Sequence, residues 1–277
     1  MRKSLLKRRA MDIVPEHDIV NTDHSQENVT GEKSKGSDVE VDSSPAASMS
    51  KPWESFLSSY PHITLKSGVV IQTLLKTIGN VTGTSPMFCF HHGAGLSGVS
   101  FIPLFNAMEH HITETNNHHS AILWTMDARS HGKSSDMDNM SLESLANDFA
   151  EAVQLSEWYS PSRELCLIGH SLGGSVVARV AHERLIPTTN KTSLILIDVV
   201  EGTALESLPH MLALLQKRPA SFKSINQAVQ WSIKSNMIKR KESAQISIPS
   251  LLAYSSIHDC YVWRTDLENT EPYWTGI

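Results

Sequence analysis

From about Pro52 onward, apolar and polar positions recur with periods that predict a succession of strands and helices. Ile63–Leu65 and Val69–Thr77 flank Ser67-Gly68 and read as two strands joined by a turn. Met87-Phe88-Cys89-Phe90 and Ala121–Met126 are short, continuous apolar runs, the pattern of strands buried on both faces. Between them, Gly98–His111 has helical character. Ser141 can cap a helix reaching to about Trp158, with Ser144 in its first turn and Leu145, Phe149 and Val153 as its apolar stripe. Leu165–Ile168 is the next strand, Leu172–Leu185 the next helix and Leu194–Val199 the next strand. Strand and helix in alternation predict an α/β fold, a mostly parallel sheet with helices on both faces.

Two regions depart from that rhythm. From Thr203 to Gln245 the strands stop, and two helical stretches, about Ala204–Gln216 and Ile225–Ile238, lie either side of Pro219. They predict a helical cap inserted over residues 203–245. Residues 1–50 contain no Phe, Trp or Tyr and are rich in Ser, Asp, Glu, Lys and Asn. Such a segment buries too little apolar area to offset its ordering entropy, so a disordered tail is expected there, followed by one domain over residues 51–277.

Composition narrows the class. Hydrophobic residues make up 40% of the 277, which excludes a wholly disordered chain. A net charge of -5 speaks against a broad basic surface, so no nucleic-acid partner is expected. Three cysteines form no disulfide scaffold, and Cys89 and Cys166 lie within strand runs as small buried hydrophobes. No apolar run approaches the ~18 residues of a membrane helix. The opening cluster Arg2, Lys3, Lys7, Arg8 and Arg9 is followed by Asp12, Glu16 and Asp18 rather than by the apolar stretch of a secretory signal. The expected location is therefore cytoplasmic and/or nuclear, with the basic cluster a solvated tail or an import signal. Asn28-Val29-Thr30 and Asn190-Lys191-Thr192 are then chance sequons.

The sharpest chemical signal is Gly169-His170-Ser171-Leu172-Gly173, set between a buried strand and a helix. In G-x-S-x-G at such a junction the serine occupies a sharp, strained turn that lifts its hydroxyl over the sheet edge. The flanking glycines let the turn close. Ser171 is the candidate nucleophile, and the N–H of Leu172, opening the helix, is a candidate oxyanion donor. Upstream, Phe90-His91-His92-Gly93-Ala94-Gly95 ends a strand in a loop without bulky side chains, so Gly93 and Ala94 are candidates for the second donor. His91 and His92 read as structural. The same loop spells Gly93-x-Gly95-x-x-Gly98, a dinucleotide fingerprint whose acidic residue belongs about 20 positions on. Asp127 lies further away than that, and a nicotinamide enzyme has no need of Ser171. The Asp127–Ser134 loop ends the next strand at the rim of the site, and Asp127, Arg129 and His131 read as structural. The acid of a triad should follow its serine in the chain. Asp198 ends the next strand and is the candidate, with Glu201 as the alternative. No H-E-x-x-H or C-x-x-C is present, His118-His119 lies in a polar loop, and neither metal nor cofactor is expected.

Taken together these residues resemble the protein phosphatase methylesterase family of α/β-hydrolases. The resemblance runs from Pro52-Trp53 to about Trp274. Its most specific stretch is Ile197-Asp198-Val199-Val200-Glu201-Gly202-Thr203-Ala204, with Arg218-Pro219 and Phe222-Lys223-Ser224 after it. The Asp127–Gly132 loop, Gly169–Gly174, Trp263-Arg264 and Tyr273-Trp274 match as well. The resemblance implies an α/β-hydrolase fold and a serine carboxylesterase. It also implies a partner, the type 2A protein phosphatase catalytic subunit, whose C-terminal leucine methyl ester is the substrate. Ser171 matches the family's nucleophile and Asp198 its acid. The family's histidine, which follows two further strands, has no counterpart: after Asp198 only His210 and His258 remain. The last strands of the hydrolase sheet are therefore expected to be missing and the domain to be C-terminally truncated. Catalysis then competes with a non-catalytic phosphatase-binding form.

Overall fold

In the computed structural model the described residues are 53–115, 119–199, 211, 213 and 215–276. The expected disordered tail, residues 1–50, lies outside them, as do Glu201, His210 and most of the first cap helix. Two short strands open the fold, β1 (His62–Thr64) and β2 (Val70–Ile78). They pair antiparallel around the turn at Gly68, whose φ of +84° suits a residue without Cβ. β3 (Met87–His91), α1 (Ile102–Glu114), β4 (Ala121–Met126) and α2 (Leu142–Leu155) follow. Next come β5 (Leu165–His170), α3 (Leu172–Glu183) and β6 (Thr192–Ile197). The expected helix at Gly98 begins as a 3-10 turn over Gly98–Phe101, with Pro103 near the start of α1 where its missing N–H costs nothing. Ser141 caps α2 by accepting the Ser144 N–H.

Six strands form one sheet in the order β1-β2-β4-β3-β5-β6. β4, β3, β5 and β6 run parallel and β1 and β2 antiparallel to their neighbours. Apolar side chains fill both faces. Trp124, Leu167, Phe149 and Val177 lie together in one cluster, and Phe90, Phe101 and Phe105 in the other. This order brings the C-terminal ends of β3, β4, β5 and β6 to one edge, where the loops carrying the candidate chemistry emerge.

The cap differs from its expected form. α4 (Ile225–Lys234) ends four residues before Ile238, and α5 (Lys241–Ser247) follows. β7 (Ser221–Phe222), β8 (Leu252–Ser255) and β9 (Cys260–Trp263) then form a separate antiparallel sheet, in the order β7-β9-β8. The unit is thus not purely helical, and its pairing carries it past residue 245. β8 leaves no mark in the pattern because Leu252–Ser255 follows the Pro249 turn and is too short to show alternation. In its core Trp263 packs edge to face with Phe222 and with Trp231, and the Phe222 and Trp231 rings meet at a tilt. Among the described residues, no helix is long and apolar enough to cross a membrane.

Candidate active site

Ser171 sits between β5 and α3 with φ 51° and ψ -121°, a conformation a side-chain-bearing residue adopts only when its surroundings impose it. The surroundings are backbone. The Ser171 N–H donates to the Ile197 carbonyl at the end of β6 (2.9 Å), and the Ser171 carbonyl accepts the Gly174 N–H (2.7 Å). A Cβ on Gly169 would stand 2.1 Å from the Gly173 carbonyl oxygen, and one on Gly173 would stand 2.1 Å from that of His91. Both glycines are therefore required by close approach. Ser171 is exposed and Leu172 buried. Because Leu172 is the first residue of α3, its N–H has no intrahelical acceptor.

The loop after β3 lies directly against this turn. A Cβ on Gly93 would meet the His170 ring at 2.8 Å. Gly93 is buried and Ala94 exposed. Two further amides of the loop are already taken: the Gly95 N–H donates to His131 Nε2 (3.0 Å) and the Gly98 N–H to Asp127 Oδ1 (2.8 Å). A dinucleotide pyrophosphate would need such amides, so the fingerprint reading falls. Asp127 also accepts the Lys133 N–H, and burial raises its carboxyl to about pH 6 despite these donors. Arg129 is held by a two-point ion pair with Asp148 (2.6 and 2.7 Å). The sequence reading gave Asp127 and His131 a structural role. Which loop they reach is not legible in the sequence, because no spacing rule relates residues so far apart in the chain.

Asp198 follows β6 with φ 54°, one residue beyond the carbonyl that receives the Ser171 N–H. Val199, the next residue, fills the space where a Cβ on Gly174 would lie. The order of the strands thus brings the candidate acid beside the candidate nucleophile. Among the described residues no histidine is hydrogen-bonded to Ser171 Oγ. His258 lies on the exposed tip between β8 and β9. Under α4 a cavity of about 450 Å³ is lined by Trp53, Leu74, Val99, Asp127, Val229 and Arg264, with none of Ser171, Gly93, Ala94 or Asp198 in its wall. Among the described residues no group of three or more metal-ligating side chains occurs.

A buried parallel strand, a strained serine before a helix and an acid on the next strand define one architecture. A sequence profile of the alpha/beta hydrolase family matches residues 90–276. The chain belongs to that family. Among curated relatives, "Protein phosphatase methylesterase 1" of Schizosaccharomyces pombe is 37% identical over 80% of this chain and 64% of its own length. Its namesake in Yarrowia lipolytica is 36% identical over 69% and 49%, and "Probable protein phosphatase methylesterase 1" of Caenorhabditis elegans is 32% identical over 81% and 58%. The chain thus spans about half to two thirds of the length of these relatives. Among solved structures, E-2-(acetamidomethylene)succinate hydrolase superposes with a TM-score of 0.60 at 16% identity, over 79% of this chain and 72% of that one. The thioesterase domain from the curacin biosynthetic pathway does so with 0.54 at 18%, over 75% and 72%. These two share the hydrolase fold.

Proposed function

We propose that this hydrolase is a serine carboxylesterase that removes the methyl ester from the C-terminal leucine of the type 2A protein phosphatase catalytic subunit. The observation that carries the chemistry is the strained Ser171, flanked by the Gly93-Ala94 loop and by Asp198. The names of the relatives support the phosphatase as substrate.

In this reading Ser171 Oγ attacks the ester carbonyl, and the oxyanion is held by the N–H of Leu172 with that of Gly93 or Ala94. Methanol leaves, and water then hydrolyses the acyl-serine. Asp198 orients the imidazole that takes and returns the proton. Among the described residues no histidine is hydrogen-bonded to Ser171 Oγ, and that observation favours a second reading, a phosphatase-binding form without turnover. Fluorophosphonate labelling of the purified chain separates the two. The esterase reading expects labelling that Ser171→Ala abolishes. A folded chain that takes no label, yet binds the methylated phosphatase subunit, establishes the binding form instead.

A further inference from the structure

Three imidazoles surround the loop that carries Gly93 and Ala94. His91, His92 and His131 are all buried, with ring centroids 5.4 Å apart for His91 and His92 and 5.1 Å for His92 and His131. Their tautomers follow from their partners. His92 Nε2 accepts the Ala128 N–H (2.9 Å), so Nδ1 carries the proton and donates to the Gly93 carbonyl (2.8 Å). His131 Nε2 accepts the Gly95 N–H (3.0 Å), so Nδ1–H donates to the Arg129 carbonyl (2.9 Å). His91 Nδ1 lies 2.9 Å from the His92 carbonyl, which can only accept.

We infer that His91, His92 and His131 are positioning residues for the reaction, each fixing one of three successive peptide planes in the oxyanion loop. This rests on Gly93 and Ala94 being oxyanion donors to Ser171. In a trans peptide the C=O of one residue and the N–H of the next point in opposite directions. His91 holds the His92 carbonyl and so aims the Gly93 N–H away from itself. His92 holds the Gly93 carbonyl and so aims the Ala94 N–H. His131 holds the Gly95 N–H and so fixes the peptide after Ala94. The Leu96 N–H also donates to the Gly93 carbonyl (3.1 Å) and closes the turn. The anchorage continues outward, from His131 to the Arg129 backbone and from the Arg129 side chain to Asp148 on α2.

Burial keeps all three rings neutral, which this hydrogen bonding requires: His91 and His131 are lowered to about pH 4, and His92 well below its ordinary value. Packing alone does not account for the arrangement. His91 Nε2 is buried with no hydrogen-bond partner among the described residues, a loss that an apolar side chain of similar size would avoid.

Two-bond ¹⁵N–¹H spectra of the imidazoles test the tautomers directly. The expected result is Nδ1–H for all three rings at pH 7. An Nε2–H ring at His92 or His131 would overturn the inference, and this measurement needs no variant. Two substitutions test the positioning. The amide oxygen of His131→Gln reaches roughly to the place of Nε2, whereas His131→Leu has no acceptor. Exchange of the Gly95 amide is expected to be at least about tenfold faster in His131→Leu and within about threefold of wild type in His131→Gln. Equal exchange in all three chains rejects the clamp. Labelling of Ser171 by fluorophosphonate is expected to slow by about ten- to a hundredfold in His131→Leu and to recover in His131→Gln. A labelled wild type with unchanged labelling in His131→Leu rejects the link to catalysis. An unlabelled wild type rejects the esterase reading, and the amide exchange and tautomers still decide whether the clamp exists. If His131→Leu does not fold, the spectra of the wild-type imidazoles decide alone.

Discussion

β5 and β6 are neighbours, six residues each, paired in parallel along their whole length and both dominated by leucine and isoleucine. Yet Leu165, Cys166, Leu167 and Ile168 are between 1% and 8% exposed, and Leu194, Ile195, Leu196 and Ile197 between 37% and 46%. β5 lies between β3 and β6 with apolar clusters on both faces, whereas β6 is, among the described residues, an edge strand whose leucines and isoleucines are exposed. The two halves of the candidate site inherit this difference. Ser171 and its glycines grow from the covered strand and are fixed by backbone packing. Asp198 grows from the open one and is itself exposed. The two halves still meet in backbone: the Ser171 N–H donates to the carbonyl of Ile197, the residue before Asp198.

The largest expected effect breaks the covered side. In Gly173→Ala the new methyl would stand 2.1 Å from the His91 carbonyl oxygen and 2.6 Å from that of His92, and neither backbone atom can move without shifting β3. A loss above about 4 kcal/mol is expected in urea unfolding. Next, a matched pair of truncations measures the contrast itself. Leu167→Ala is expected to cost about 2–5 kcal/mol and Leu196→Ala less than about 1. Equal costs would mean that β6 is covered in solution.

The pH response of the buried side follows in size. The two rings that titrate at about 4 instead of 6.5 bind fewer protons folded than unfolded over that range, so stability rises with pH between about 4 and 6.5. Each is worth on the order of 3 kcal/mol once fully expressed above pH 6.5. Asp127 acts in the opposite sense. Its carboxyl is raised from 3.8 to about 6, so it removes stability as pH climbs through that interval. The histidines outnumber it, and unfolding at pH 7 should require more urea than at pH 4.5. A flat or inverted profile would show that the rings are not buried neutral. The smallest effect sharpens the open side. Asp198→Gly relieves a positive φ and should stabilise the chain by about 1 kcal/mol, while lowering any fluorophosphonate labelling of Ser171.

Much of this was written in local pattern. The starts of β3, β4 and β5 follow from continuous apolar runs, though β3 and β5 run on one and two residues past them, the start of α2 follows from Ser141, and the serine turn from two glycines two residues either side of Ser171. Each depends on interactions within a few residues, which a linear sequence displays. The pairing of Gly95 with His131, of Gly98 with Asp127 and of Ala128 with His92 depends on β3 and β4 lying side by side, and no spacing rule announces it. The small sheet β7-β9-β8 was hidden for the same reason, since its strands are two to four residues long and are stabilised by a Phe-Trp-Trp cluster assembled from three segments. Equally, the apolar run of β6 specified a strand and said nothing about cover, because burial is decided by what packs on a strand and not by the strand. Sequence by itself therefore determined the α/β order, the serine turn and the candidate acid. Tertiary structure decided which amides of the loop after β3 are taken by side chains, which histidines stay neutral and which half of the candidate site faces water, because each of those depends on neighbours that are distant along the chain.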